Sequence, residues 1–341
     1  MKPVTPIILQ GRTGTAPIRP FAAALLLASA ALLTCPTARA VIVAGANGGG
    51  NTANNTTRAG LEAAVGTPFP LFDNVFNYSD ATGIYLGYNP STFDVWVISA
   101  RHVSPSGATI TLDSLSYSFQ QRIDLSGDIA LIRYTRPDNQ MPGLSAAPLA
   151  QSLPGTANTL VMIGQGKNRV QDASTDANTS DAISINGNTG YNWASGNIKR
   201  WGTNNQDNNF ALNGPGPPNP LGTINFGSFT STGYSATFNQ PSPGEWLSTN
   251  EAIGSLGDSG GGAFFFDGTD WVLSGIFSAV TRFSDQPDDT SVFGNATLIT
   301  DINTYREEIL GVTGFLIPEP GTATLLLLPA AVILLRRQRA A

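Results

Sequence analysis

One serine in this chain of 341 residues stands out by its neighbours. Ser259 lies in Gly257-Asp258-Ser259-Gly260-Gly261-Gly262, immediately before the apolar burst Ala263 to Phe266. Flanking glycines let the backbone bend so that amide N–H groups converge beside a side-chain hydroxyl, which is what stabilising an oxyanion requires. A serine hydroxyl alone is a poor nucleophile and needs an adjacent base. The chain has a single histidine, His102, in Ser99-Ala100-Arg101-His102-Val103, so no other imidazole can be that base. Such a base works from one tautomer, and a carboxylate can hold it there. Asp128 stands where a turn, Ser126-Gly127, enters the apolar run Ile129 to Ile132. Asp113 and Asp124 also lie near His102 in sequence, but neither precedes so clear a run. Nucleophile, base and orienting acid together would perform acyl transfer.

These groups must be held by rigid elements, and the sequence favours strands. Between its ends the chain is rich in Gly, Asn, Ser and Thr and short of helical periodicity. Its apolar residues come in short bursts bounded by turn residues: TGIYLGYN, DVWVISA, ATITL, DIALIRY, TLVMIG, GAFFF and WVLSGIFSAV. Runs of this length, rich in β-branched and aromatic residues, predict an all-β sandwich or pair of barrels. One helix is expected over 301–310, with Ile302, Tyr305 and Ile309 on one face and Asp301 as its N-cap. Residues 45–58, dense in Gly and Asn, read as a mobile start to the mature chain. Residues 165–222 read as a long Asn/Gly-rich surface insertion with a few short strands. No repeat of fixed period is present.

The segments WVISARHV, GDIALIRY and GDSGGGAFF, in that order, resemble the three signature segments of chymotrypsin-like (trypsin-fold) serine peptidases. Residues 83–103 resemble that family's hairpin leading to its histidine, MIGQGKN the glycine pair opening its second half, and GIFSAV its cleft strand. The resemblance implies an all-β fold of two packed antiparallel, six-stranded-type β-barrels with a short C-terminal helix. It implies Ser259 as nucleophile, His102 as general acid and base, Asp128 as orienting carboxylate, and the N–H groups of Gly257 and Ser259 as oxyanion hole. The substrate would be a protein or peptide, with no metal and no organic cofactor. Ile253, six residues before Ser259, would lie at the floor of the specificity pocket, with Ser278 and Val280 on the strand beside it. An apolar floor and a valine at the mouth imply a preference for small or medium apolar side chains before the scissile bond. An alignment shifted by one insertion would instead bring Glu251 to the floor and favour basic ones. The sequence also departs from the family pattern: Arg101 precedes the histidine, and the His102-to-Asp128 separation is short, which implies trimmed loops in the first barrel. The alternative function is a catalytically idle copy of the fold serving as a surface or matrix binding protein.

The ends carry addressing rather than chemistry. Lys2, Arg12 and Arg19, the apolar run Phe21 to Leu33 and the small-x-small site Ala38-Arg39-Ala40 predict a signal peptide over 1–40, removed by signal peptidase. Ile317-Pro318-Glu319-Pro320-Gly321, a short apolar run and Arg336, Arg337 and Arg339 predict transient membrane contact through the tail. Residues 318–341 resemble the PEP-CTERM signal that an exosortase removes, which implies a secreted or cell-surface protein of a Gram-negative bacterium, exported through the inner membrane. Between lies the expected peptidase domain, 41–317, whose 11 basic and 23 acidic side chains give a formal charge of −12. So acidic a domain is ill suited to nucleic acid, which needs a basic face. The one cysteine, Cys35, falls in the expected leader, so the domain has no disulfide.

Overall fold

The computed structural model describes residues 4–8, 41–44, 53–103, 109–169, 183–185, 187–194, 198–214, 216–240 and 250–314. The expected leader, apart from Val4–Ile8, and the expected sorting tail 318–341 lie outside them. No helix among the described residues is long and apolar enough to cross a membrane.

Two short strands, β1 (Val4–Ile8) and β2 (Ile42–Val43), and a helix, α1 (Arg58–Val65), precede the first large sheet. That sheet contains β3 (Val75–Tyr78), β4 (Ala81–Tyr88), β5 (Val95–Ser99), β6 (Thr109–Leu112), β7 (Leu115–Asp124) and β8 (Ala130–Thr135), in the order β3-β4-β5-β8-β7-β6. The second large sheet draws on β9 (Thr159–Gly164), β13 (Arg200–Asn205), β14 (Gly222–Asn225), β15 (Thr230–Thr237), β17 (Gly262–Phe266), β18 (Trp271–Phe283) and β20 (Ala296–Asp301). Its order is β13-β9-β17-β18-β20-β15-β14, with β1 alongside β18. Interleaved in sequence with the second sheet's strands, β10 (Asn168–Arg169), β11 (Ile183–Ile185), β12 (Asn188–Ala194) and β19 (Thr290–Val292) form a small sheet, and β16 (Ala252–Ile253) pairs with β2. The chain ends its described part in α2 (Ile302–Thr313). Both large sheets are antiparallel and barrel-like, so the expected all-β architecture with a C-terminal helix is the one observed.

Why the apolar bursts lack clean alternation follows from where the two sheets meet. Along β4, Ile84 and Leu86 enter a core shared by both sheets, while Tyr85 enters one private to the first. On β5, Trp96 and Ile98 go to the shared core, and Val95 and Val97 to the private one. The second sheet repeats this: Val161, Ile163 and Phe264 face the shared core, whereas Leu160, Met162 and Phe265 face a third. Successive strand side chains point to opposite faces, and here both faces are covered, so both must be apolar.

α2 matches the sequence reading. Asp301 caps it by accepting from the Asn303 and Thr304 amides, and Ile302, Tyr305 and Ile309 are buried. Two local expectations need correction. Residues 53–58 are not part of a mobile start: Ala53–Thr56 form a 3-10 turn whose buried Asn55 donates to the Trp201 carbonyl at 3.1 Å, and Arg58 begins α1, which Thr57 caps through the Gly60 amide and Gly66 ends at φ +73°. Within 165–222, Arg200–Asn205 is not surface insertion: it pairs with β9 along its whole length and buries Trp201 in the shared core. Its Asn and Gly content hid it, because β13 is held by ladder bonds and one large aromatic.

Candidate active site

His102 sits in the turn after β5, and Asp128 two residues before β8. These strands are hydrogen-bonded neighbours with Ser99 opposite Ala130, so the two residues leave adjacent strand ends. The Asp128 side chain is fully buried and accepts twice from His102. The His102 backbone N–H reaches Oδ1 at 3.0 Å, and Nδ1 lies 3.0 Å from Oδ1 and 2.9 Å from Oδ2. A carboxylate only accepts, so Nδ1 carries a proton. Nε2 lies 2.9 Å from Ser259 Oγ. The structure thus brings His102, Asp128 and Ser259 into one hydrogen-bonded chain.

The serine loop is pinned from both barrels. From the first, Thr82 donates its backbone N–H to the Ser259 carbonyl at 2.9 Å and its hydroxyl to the Gly257 carbonyl at 3.1 Å. From the second, Gly260 donates to Phe277 and Gly261 to Asp258. Gly260 has φ +81°, and a Cβ there would strike both the Ser99 hydroxyl and the Thr82 carbonyl. Only glycine fits this crossing. Gly257, two residues before Ser259, holds φ +94°.

Asp258 points the other way and organises the loop from beneath. Fully buried, it accepts from the Ser255 amide and hydroxyl, the Gly166 amide and the Val41 N–H. Burial pushes its carboxyl up to about 6, with those hydrogen bonds pulling the other way. The glycine pair of MIGQGKN is explained by this contact: a Cβ on Gly164 or Gly166 would strike the Asp258 carboxyl.

Of the expected pocket residues, Ile253 and Val280 come together in one apolar cluster with Ile42, Ala44, Tyr191, Phe238 and Phe293. Ser278 differs: its hydroxyl is buried and bonded to Thr300 at 2.7 Å rather than lining that cluster. Glu251 is also outside the cluster. Its carboxylate accepts from the Asn239 amide, and burial raises it to about 7. Asp124 is part-exposed and pairs with Arg122 and Arg101, and Asp113 caps Gly143. Neither approaches His102 as Asp128 does.

Sequence reasoning missed the support behind Asp128. Its backbone N–H donates to the Ser231 hydroxyl at 3.0 Å, and Ser231 is bonded to Thr300, which is bonded to Ser278. Tyr305 of α2 accepts the Thr232 amide at 2.8 Å, and its ring fills the space a Gly127 Cβ would need. The apolar face of α2 was legible, but not that its tyrosine reaches this network. Phe226 was also missed: its ring stacks on His102, with centroids 5.3 Å apart and 19° between planes.

No protein-family model and no curated protein matches the chain. Among solved structures it is similar to neuropsin, a serine protease expressed in the limbic system of mouse brain, at 17% identity. That similarity covers 72% of this chain and 96% of neuropsin, with a TM-score of 0.40. Kallikrein-related peptidase 10 is 13% identical over 70% of this chain and 93% of its own, with a TM-score of 0.38. An inactive mutant of the Murine Norovirus NS6 protease is 14% identical over 69% and 92%, with a TM-score of 0.36.

Proposed function

We propose that the protein is a serine endopeptidase. The observation that carries the reading is the chain Ser259 Oγ–His102 Nε2 at 2.9 Å, closed by Nδ1–Asp128 at 2.9 Å. Ser259 Oγ attacks the scissile carbonyl while Nε2 takes its proton. The imidazolium so formed is stabilised by Asp128 and passes the proton to the leaving amine. The N–H groups of Gly257 and Ser259 hold the oxyanion, and water then hydrolyses the acyl-enzyme by the same proton path. No metal or organic cofactor takes part in these steps.

The substrate is a protein or peptide. Ile253 and Val280, both buried and uncharged, would favour small or medium apolar side chains before the scissile bond, because burying a lysine or arginine beside them unpaired would cost several kcal/mol. Signal peptidase cleavage after Ala40 and exosortase removal of 318–341 would deliver the enzyme outside the inner membrane or to the cell surface. The Val41 N–H is aimed at Asp258, which supports cleavage before Val41. A free α-ammonium at Val41 would place a positive charge on that buried carboxylate and fix the serine loop.

One observation favours the second reading, a catalytically idle surface or matrix protein. Ser259 is fully buried, and the His102 side chain is only 3% exposed. Chromogenic peptides ending in alanine, valine or arginine separate the readings. The proposal expects turnover after alanine or valine that Ser259→Ala abolishes. No turnover of any peptide supports the idle reading, and faster cleavage after arginine overturns the apolar pocket.

A further inference from the structure

The hairpin between β14 and β15 covers one face of the His102 ring. At its tip the Phe226 amide donates to the Phe229 carbonyl at 3.0 Å, and the Gly227 amide to the Asn225 side chain at 2.7 Å. This turn stacks Phe226 on Phe229, 4.7 Å between centroids and 13° between planes. The other face of Phe226 meets the imidazole, and the Arg101 guanidinium lies 4.3 Å over Phe229. Two consecutive residues, Arg101 and His102, therefore clamp two aromatic rings of one hairpin tip. Arg101 is itself held by the Leu125 carbonyl at 3.0 Å. The same hairpin carries, as the second residue of β15, Ser231, whose hydroxyl accepts the Asp128 amide. One element thus touches both the base and the acid.

A substrate must pass close to this stack. Its scissile carbon bonds to Ser259 Oγ, 2.9 Å from Nε2, so the adjoining residues run alongside the imidazole. In an extended peptide successive side chains point to opposite sides. If the residue bearing the scissile carbonyl points to the Ile253 and Val280 cluster, the residue before it points to the imidazole side, where Phe226 already stands. We propose that Phe226 is a specificity-determining and positioning residue of this site. Its ring walls one face of His102, orients the imidazole between Asp128 and Ser259, and restricts the second residue before the scissile bond to glycine or alanine. The specificity half rests on the peptidase reading; the positioning half does not. The stack also accounts for Arg101, the unusual neighbour of the histidine, which braces the wall through Phe229.

The test uses the naturally processed protein, its Phe226→Ala, Phe226→Leu and Phe226→Tyr variants, and peptides differing only at that second residue. The wild type is expected to favour glycine or alanine there over leucine or phenylalanine by at least about tenfold in kcat/KM, mainly through KM. Phe226→Ala should remove that discrimination by lowering KM for the bulky peptides, and Phe226→Tyr should keep it. Phe226→Leu preserves apolar bulk without a ring face. Because His102 is the only histidine, its ring-proton resonances report the stack directly and without turnover. They should lie upfield in the wild type and Phe226→Tyr, and move downfield in Phe226→Leu and Phe226→Ala. Resonances that do not move overturn the positioning role. A second-residue profile unchanged in Phe226→Ala overturns the specificity role. Wild type that cleaves no peptide removes the peptidase reading and the specificity role together, and the resonances then decide the positioning role alone.

Discussion

In the proposed mechanism Asp128 acts through geometry, and that makes its isostere informative. Asparagine in the same place would offer an N–H or a carbonyl to Nδ1 and no longer favour the tautomer that leaves Nε2 free. Asp128→Asn is therefore expected to fold normally and lose about 10³–10⁴ in kcat, as wrong-tautomer variants of such triads do. Steady-state kinetics beside a thermal melt measure this, and near-normal turnover would remove Asp128 from the mechanism. Behind it, Tyr305→Phe leaves the Thr232 amide without its 2.8 Å acceptor and should cost about 1–3 kcal/mol in a urea titration. An unchanged midpoint would mean that water replaces the phenol. These residues differ in how readable they were. Ser259, His102 and Asp128 announce themselves by type and by the turns that carry them. Ser231, Thr300, Tyr305 and Phe226 are ordinary members of strands, a helix and a hairpin until the fold brings them to the site. Nothing in their local sequence encodes that meeting.

The elements divide along the same physical line. Strands such as β5, β8 and β17 were legible because both their faces are covered, which makes the whole run apolar. β13 was not, since most of its stabilisation lies in pairing with β9 and in Trp201. α1 was not, since it buries only Leu61 along eight residues, although Thr57 and Gly66 marked its ends. The segment at Val41–Ala44 belongs with these: it is short, yet fully packed, and its first N–H meets Asp258. If the amino group at Val41 shapes the serine loop, protein with residues retained before Val41 should have kcat/KM reduced by at least about tenfold, since the buried carboxylate then faces a neutral donor. Protein beginning at Val41 should be fully active. Equal activity of the two forms would show that Asp258 is satisfied by its neutral hydrogen bonds alone.

Across the molecule, buried carboxylates set the response to pH. Glu251 is buried beside Asp207, also raised by burial, and titrates near 7 instead of the usual 4.5. A raised folded-state value means the folded protein holds this proton more tightly than the unfolded chain. The stabilisation is complete below about 4.5 and is lost as pH rises through about 7. Glu251→Gln cannot ionise, so it should flatten that part of the stability curve and be more stable than wild type above pH 7, by at most about 3 kcal/mol. Urea midpoints between pH 4 and 8 test this, and parallel curves for the two proteins would contradict it. The proposed catalysis, in contrast, would depend on the two barrels staying in register, because Thr82 of one holds the serine loop of the other. The most direct measurement of the central claim is covalent: reaction of the processed protein with a fluorophosphonate, with the adduct mapped by mass spectrometry. The account predicts one adduct per chain on Ser259, none in Ser259→Ala, and labelling at least about 10³-fold slower in His102→Ala. No adduct, an adduct on another residue, or wild-type labelling in His102→Ala would contradict it.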